Sequence, residues 1–199
     1  MDGAAERTSA GRAGLYERLV GEGWGGLGEP VRRFHTYGGE LRAGGAFAVR
    51  RGRGLAARML ARMLRLPESG EAVPLLLTVT ESGGGERWRR SFAGRDFVTE
   101  QRGHAGPLLA ERAGPFELLF RLTVEGGALV YSQEGAAVRA GRLRLRVPRR
   151  LAPRVGAWER ACASGGGVRV GVRVTAPLAG LLIEYEGLVK TEGAGGDAG

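Results

Sequence analysis

The sequence has little of the chemistry that disulfides and metal centres need. It contains one cysteine, Cys162, and two histidines, His35 and His104, among 199 residues. A single thiol cannot form an internal disulfide, and two imidazoles cannot build a histidine-rich metal centre. We therefore expect no metal site and no bound cofactor, and we expect Cys162 to be a small core residue.

Long apolar runs are also missing from the chain. No segment approaches the roughly 20 consecutive apolar residues that a membrane-spanning helix needs. The N-terminal stretch MDGAAERTSAGRAG has no apolar segment of the kind found in secretory signals. These features predict a cytoplasmic protein without a transmembrane segment.

Lysine is nearly absent, although the chain is strongly basic. Of 30 basic residues only Lys190 is a lysine, and the formal net charge is +9. Such a charge is typical of proteins that bind nucleic acids or anionic membranes. However, GC-rich codon usage also favours arginine and glycine, and the aromatic residues that stack on bases are missing from the basic segments. Binding of a nucleic acid or an anionic membrane through arginine-rich strands is therefore kept as an alternative function. A nucleic acid is not the partner that we expect.

An alternation of apolar and polar residues with a period of two begins near Glu40 and predicts β-strands. In FELLFRLTVE, residues 116–125, every second side chain is apolar, and glycine pairs and triplets separate neighbouring runs. About ten such strands with tight turns predict a mainly-β fold, either an antiparallel β-barrel or a strongly curled sheet of the calycin or lipocalin type. The other predicted strands lie at 41–49, 73–81, 86–92, 95–102, 107–112, 128–134, 142–147, 154–162, 168–175 and 181–189.

The length favours one domain, which we place at residues 13–190. The tails at 1–12 and 191–199 are glycine-rich and polar, so we expect them to be disordered. Apolar residues from Leu15 to Leu27 precede the first strand and predict a short helical cap at the N-terminal end of the domain.

One helix is inserted among the strands, in RGRGLAARMLARMLRLP at residues 51–67. It is predicted near 55–66 because Pro67 disfavours a helical residue before it. Arginines at 58, 62 and 65 form a narrow stripe, and apolar residues cover the rest of the helix surface. This pattern predicts a plug or cover of the barrel core, or a lid over an apolar ligand, in which Met59 and Met63 adapt to changeable volumes. A membrane-surface helix is less favoured because the polar stripe is narrow.

The same stretch matches a dinucleotide-binding fingerprint. Gly52, Gly54 and Ala57 follow the form G-x-G-x-x-A, and Glu81 stands where a ribose-binding acid would be sought. That fold repeats a strand-helix-strand unit, whereas only strands follow Glu81. Local sequence thus favours a phosphate-binding turn, and the wider pattern opposes it.

Candidate site residues follow from these elements. Catalytic candidates are His35, Glu111, Glu159 and Tyr185, which are acid-base groups in strands or beside the cap. Candidate ligand-binding residues are Met59, Met63, Trp88, Phe92, Phe120 and Tyr185. Glu184 and Glu186 share one face of the last strand and are expected to be solvated or paired with arginines of neighbouring strands.

Several segments in order resemble a bacterial family known as domain of unknown function 4166. They are YERLVGEGWGGLGEPVRRFH, RGRGLAARMLARMLRLP, ERWRRSF, ERAGPF, VPRRLAPR and PLAGLLIEYEGLV, which together span residues 15–190. The positions that match are Trp24, Arg33, His35, Trp88, Arg90, Phe92, Glu111, Pro148, Pro153, Glu159, Tyr185 and Gly187. The resemblance implies no activity, because the family has no established catalytic residues. It does imply a stand-alone domain or an appendage to a reductase-type chain.

The sequence therefore leaves three functions open. The leading hypothesis is a soluble module that binds an apolar or amphipathic small molecule in a barrel cavity. The second is an enzyme, or an accessory domain of a reductase-type partner, acting in the same cavity. Two or more of the catalytic candidates converging on one pocket would favour chemistry. Nucleic-acid or anionic-membrane binding is the third.

Overall fold

The computed structural model describes residues 13–192, and the tails lie outside the described residues except for Thr191 and Glu192. The last strand extends to Thr191, one residue beyond the expected domain end. Within the described residues the chain forms three short helices, one 3-10 turn and eleven strands. The helical elements are α1 (Leu15–Val20), the 3-10 turn (Gly21–Gly26), α2 (Glu29–Phe34) and α3 (Leu55–Met63). The strands are β1 (Glu40–Arg51), β2 (Gly70–Ser82), β3 (Gly85–Phe92), β4 (Arg95–His104), β5 (Leu108–Ala113), β6 (Phe116–Glu125), β7 (Ala128–Ala140), β8 (Leu143–Arg146), β9 (Arg154–Ala161), β10 (Val168–Ala176) and β11 (Gly180–Thr191).

Ten strands close into an antiparallel barrel, as the sequence pattern predicted. Strands β1 to β6 pair in chain order, β6 pairs with β7, and β7, β9, β10 and β11 lead back to β1. Strand β8 is an extra strand that pairs with the second half of β7. Because all pairs are antiparallel, the connections alternate between the two barrel ends.

The two ends of the barrel differ. At the first, which we call the cap end, lie the N-terminal helices and the turns β2–β3, β4–β5, β6–β7 and β9–β10. At the second, which we call the α3 end, lie α3, the turns β3–β4, β5–β6 and β10–β11, and the β7–β8 hairpin with its link to β9.

The helical cap closes one end of the core. Tyr16, Val31 and Phe34 of α1 and α2 are buried and belong to the same apolar cluster as the inward residues of the strands. Helix α2 packs on β9 and β10, and α1 packs on β4 and β6. The cap therefore continues the apolar core of the barrel at this end.

Helix α3 differs from the prediction. It ends at Met63, because Arg65 adopts a left-handed conformation with φ 52° and the Leu66 and Arg65 amides bond back to the carbonyls of Ala61 and Arg62. These two bonds form the Schellman arrangement that terminates helices.

The buried face of α3 also differs from the prediction. Ala57 and Ala61 are buried against the barrel, whereas Leu55, Met59 and Met63 are 67%, 65% and 67% exposed. The helix packs on β11 and β1, and Leu182, an outward residue of β11, is buried. The small alanines allow this close approach. The expectation of a helix buried over most of its surface, or of a lid over the barrel interior, was therefore wrong.

The outer wall carries most of the paired charges. Arg169 bonds to Glu186, and both Arg50 and Arg173 contact Glu184, so these carboxylates are paired with arginines of adjacent strands as expected. Strand β8 shows the same alternation of leucine and arginine, but its apolar residues Leu143 and Leu145 are exposed. Strand β8 lies outside the closed barrel and has no core to face.

No helix within residues 13–192 has the length and apolar character needed to cross a membrane.

Candidate functional site

A small cavity of about 90 Å³ lies inside the barrel. Its wall combines apolar side chains with several polar and charged ones. The apolar lining includes Phe34, Phe47, Leu75, Leu77, Phe92, Phe120 and Val189, and the polar lining consists of Arg90, Gln101, Glu111, Tyr131, Glu159 and Tyr185, with Trp88 and Trp158. Charged residues are uncommon inside a barrel because burial of an unpaired charge is costly, so the contacts of these groups define the site.

Strand β3 supplies the best example of this mixture. Glu86, Trp88, Arg90 and Phe92 alternate with Arg87, Arg89 and Ser91 in the segment ERWRRSF, and the first set points inward. Trp88 and Phe92 are 3% exposed, which fixes the direction of the whole strand. Period-two geometry then places Glu86 and Arg90 inside with them.

Arg90 carries the positive charge of the cavity. Its guanidinium lies 4.9 Å from the centre of the Trp88 ring and donates to Thr99 Oγ1 at 2.9 Å. Glu111 Oε1 is the carboxylate beside it, at 3.5 Å from both Nη1 and Nη2. These distances are long for a charge-assisted hydrogen bond, which is usually about 2.7–2.9 Å. Arg90 is therefore loosely paired, and its five N–H donors exceed the acceptors offered by Thr99 and Glu111.

Glu159, in contrast, is fully engaged. Its Oε2 lies 2.5 Å from His35 Nε2, and its Oε1 accepts a hydrogen bond from the Tyr131 hydroxyl at 2.8 Å. Burial opposes ionisation of Glu159, but the charge and hydrogen bond of His35, with the hydroxyl of Tyr131 and the charge of Arg90, hold its pKa below the ordinary value. The carboxylate is thus a stable hydrogen-bond acceptor.

Two tyrosines extend this network toward the cap. The Tyr16 hydroxyl donates to Gln101 Oε1 at 2.6 Å, and the Tyr16 ring stacks on His35 with centroids 3.8 Å apart. Burial raises the pKa of both Tyr16 and Tyr131 well above the ordinary value, so the phenols stay neutral donors. His35 Nδ1 is buried and has no hydrogen-bond partner among the described residues.

Glu86 lies at the cap side of the same network. Its Oε2 accepts a hydrogen bond from Trp88 Nε1 at 2.8 Å. Burial raises the pKa of Glu86 above the ordinary value, although the Trp88 bond and the nearby His35 oppose the shift. This carboxyl is therefore held less firmly in its ionised form than Glu159.

Most of the predicted site residues meet at this cavity. Trp88, Phe92, Phe120 and Tyr185 line it, as do the catalytic candidates Glu111 and Glu159. His35 stands behind Glu159 and reaches the site through that carboxylate. Met59 and Met63 do not line it, because α3 lies on the outer wall at β11 and β1.

Sequence reasoning missed part of the polar lining. The sequence indicates Arg90 only through the family resemblance, and its pattern did not predict that Gln101, Tyr131, Tyr16 and Glu86 belong to the site. A signal was present for Arg90 and Glu86, since both share the two-residue period of Trp88 and Phe92. No comparable signal identifies Tyr16, because its place follows from how the cap docks on the barrel.

Two features outside this cavity concern the expectations about metal binding and about the cysteine. Within residues 13–192 no group of three or more histidine, cysteine, aspartate or glutamate side chains is placed to hold a metal ion. Cys162 is partly exposed, with Sγ 3.1 Å from Ser164 Oγ, so the expectation of a core cysteine was wrong. It lies at the end of β9, where the chain leaves the barrel wall.

The glycine fingerprint has a packing explanation. Strands β1 and β2, on either side of α3, are antiparallel neighbours, whereas the dinucleotide unit requires parallel strands. A Cβ atom at Gly52 would lie 1.8 Å from the Leu181 carbonyl oxygen and 2.8 Å from Ala57 Cβ. Gly52 therefore allows the chain to pass closely over β11 before α3 begins.

Comparison with known proteins bears on the family of the chain. A family model described as Domain of unknown function (DUF4166) matches residues 27–189, which confirms the resemblance drawn from the sequence segments. No curated protein and no solved structure matches the chain. The likeness to calycins and the reductase-type partner stay predictions.

Proposed function

The chain belongs to the family described as Domain of unknown function (DUF4166), whose description names no activity, and from the barrel interior we propose that it binds a compact amphipathic molecule. One observation carries the proposal: a loosely paired arginine lines an otherwise largely apolar cavity inside a closed barrel. Ligand sites typically combine apolar walls with a few polar groups that fix orientation.

The polar end of the ligand would lie at Arg90 and Glu111. The 3.5 Å separation leaves the guanidinium able to form shorter bonds to an incoming oxygen. A carboxylate is the best match, because its two oxygens fit the planar fork of a guanidinium. Tyr185, whose pKa burial raises, offers a neutral hydroxyl to the same cavity.

The apolar end would lie among aromatic rings. Phe47, Phe92 and Tyr185 form a cluster with ring centroids 5.3 to 5.9 Å apart. Leu75 and Leu77 complete this side of the cavity. Such rings bury large apolar areas and orient ligands through their edges and faces.

The size of the cavity limits the ligand. Pockets that hold drug-sized molecules are usually about 300–1,000 Å³, whereas this one is about 90 Å³. A short-chain or single-ring carboxylic acid therefore suits it better than a long fatty acid. A longer chain would require the side chains around Phe92 and Tyr185 to move.

Native mass spectrometry of the purified protein, followed by thermal shift with short aliphatic and aromatic carboxylic acids, tests the proposal. Each acid is compared with the alcohol of the same skeleton. We expect stabilisation by acids and less by the alcohols. Arg90→Met should remove this preference, because it keeps the length of the side chain and loses the charge. Arg89→Met is the matched control, since Arg89 points outward and pairs with Asp96 on the surface.

Two results would contradict the proposal. One is the absence of both a carried-over molecule and a thermal shift with every acid. The other is an equal shift in Arg90→Met and the wild type, which would place the binding elsewhere.

Acid-base chemistry in the same cavity is a second candidate, favoured by the convergence of Glu111, Glu159 and Tyr185 on one pocket. Both oxygens of Glu159 are occupied, so Glu111 is the better candidate for proton transfer. Incubating any identified ligand with the protein and following the ligand mass tests this. Conversion that Glu111→Gln abolishes while binding persists would support an enzyme, and unchanged ligand would leave binding as the function.

A further inference from the structure

Exposed apolar side chains are concentrated at the α3 end of the barrel. Among the described residues, the large exposed ones at this end are Leu55, Met59, Met63, Phe116, Leu143, Leu145, Leu151 and Leu178. The exception is Leu76, which lies in the middle of β2 on the outer wall. The opposite end is closed by the helical cap, whose large apolar residues pack into the core.

Three separate segments present these side chains. Leu55, Met59 and Met63 are spaced four residues apart and form one stripe along α3. On β8, Arg144 bonds to the buried Glu117, so Leu143 and Leu145 project from the opposite face. Leu178 stands at the tip of the β10–β11 turn.

The backbone conformation of Leu178 independently indicates that the α3 end has a functional role. It is fully exposed, at 104% of its reference area, and has a left-handed backbone with φ 64°. Glycine or asparagine is the usual residue in this conformation, and a leucine in it is strained. Since Leu178 is fully exposed, packing within the chain does not compensate for this strain.

The same end carries nine of the twelve arginines within the described residues that form no ion pair. On the outer wall most arginines pair with glutamate or aspartate, as Arg121 does with Glu134. Within residues 13–192, the arginines of the α3 end that form no ion pair are Arg53, Arg58, Arg62, Arg65, Arg142, Arg146, Arg149, Arg150 and Arg154. Arg58 and Arg62 lie beside the apolar stripe of α3, and they are spaced four residues apart, as the apolar residues are.

We propose that the α3 end is a docking surface for an anionic lipid bilayer. Apolar side chains at the tips would enter the boundary between headgroups and acyl chains, and the surrounding arginines would bind lipid phosphates. A nucleic acid would pair with the arginines but would leave leucines and methionines exposed to water. The combination of uncompensated positive charge and protruding aliphatic residues therefore fits a membrane better than a nucleic acid. This role is separate from binding in the barrel interior.

Vesicle sedimentation of the full chain tests the proposal, with phosphatidylcholine vesicles that contain phosphatidylglycerol and with pure phosphatidylcholine vesicles. We expect binding to the anionic vesicles, at least about tenfold weaker binding to the neutral ones, and weakening by salt. The triple variant Leu55→Ser, Met59→Ser, Met63→Ser should lower the partition coefficient at least about tenfold. Its control is Leu76→Ser, an equally exposed leucine away from this end.

Charge reversal provides a second measurement. Arg58→Glu with Arg62→Glu should lower binding by at least about tenfold, because each basic residue near the surface contributes about 1 kcal/mol. Arg160→Glu with Lys190→Glu changes the net charge equally and lies toward the cap end, so it should bind nearly as the wild type does. All substituted side chains are exposed, and circular dichroism confirms that each variant is folded.

Three outcomes would overturn the proposal. The first is no binding to anionic vesicles at low salt. The second is equal loss in both charge-reversal pairs, which indicates attraction by net charge alone. The third is loss on charge reversal without loss in the serine triple variant, together with competition by duplex DNA, which indicates a nucleic-acid surface.

Discussion

His35 Nε2 lies 2.5 Å from Glu159 Oε2, and this contact joins the end of the helical cap to strand β9 inside the barrel. Both side chains are buried, and Glu159 also holds Tyr131. The contact therefore couples the docking of the cap to the geometry of the cavity wall.

Glu159→Gln should destabilise the protein by about 2–4 kcal/mol, because His35 and Tyr131 contact different carboxylate oxygens and the amide replaces one of them with an NH2 donor. Urea unfolding at neutral pH measures the change. Glu186→Gln, which alters an exposed pair with Arg169, serves as the control and should change stability little. Equal stability of Glu159→Gln and the wild type would show that this contact does not hold the cap.

The pH dependence of the same group follows from its lowered pKa. A carboxyl whose pKa is lower in the folded state stabilises the fold at pH above its ordinary pKa. That contribution is lost as the pH falls through the ordinary carboxyl range toward the folded pKa. The stability difference between wild type and Glu159→Gln should therefore shrink on acidification, as measured by urea unfolding over a pH series. A difference that stays constant would contradict the assignment.

Glu86 should behave in the opposite way. Burial raises its pKa, so ionisation of Glu86 opposes folding as the pH rises through its ordinary range and on to the folded pKa. Glu86→Gln keeps an acceptor for Trp88 Nε1 and removes the charge. We expect a higher melting temperature than the wild type at neutral pH and a smaller gain at acidic pH. The exposed Glu81→Gln should show no such gain, and a loss of stability in Glu86→Gln at neutral pH would refute this account.

The strand pattern was predictable because it depends on local geometry. In a barrel wall each residue faces either the core or the solvent. The alternation of apolar and polar residues in segments such as 116–125 therefore follows the alternation of the two faces. The extra strand β8 has the same alternation, as in Leu143 and Leu145, but no second layer covers it. Sequence period identifies a strand, and it does not say whether anything packs on its apolar face.

The candidate site was predictable only in part, for a different reason. Aromatic residues such as Trp88 and Phe92 are expected inside, and they do line the cavity. Arginine is expected outside because burial of its charge is costly, yet Arg90 is inside, where Trp88, Thr99 and Glu111 surround it. These partners come from three strands, so a single segment of sequence does not reveal them.

Helix α3 offers a direct test of which face is buried. Ala61→Leu should destabilise the protein by about 1–3 kcal/mol, because Ala61 is 1% exposed against the barrel and a larger side chain overpacks that contact. Ala56→Leu makes the same change on the exposed side of the helix and should have little effect. Thermal unfolding of the two variants provides the comparison. Equal effects would mean that α3 does not pack through its alanines.

The two glycines before α3 separate packing from phosphate binding. Gly52→Ala should destabilise by more than about 2 kcal/mol, because its Cβ would lie 1.8 Å from the Leu181 carbonyl oxygen. Gly54→Ser should be neutral or slightly stabilising, since a Cβ at Gly54 meets nothing within 4 Å and serine is a favoured residue at a helix N-cap. A phosphate-binding turn would instead require both glycines for nucleotide affinity. Thermal unfolding with and without NAD and ATP distinguishes packing from phosphate binding. Packing predicts a loss of stability only in Gly52→Ala and no change of melting temperature with nucleotide. An increase of melting temperature with nucleotide that Gly54→Ser abolishes would establish the phosphate site.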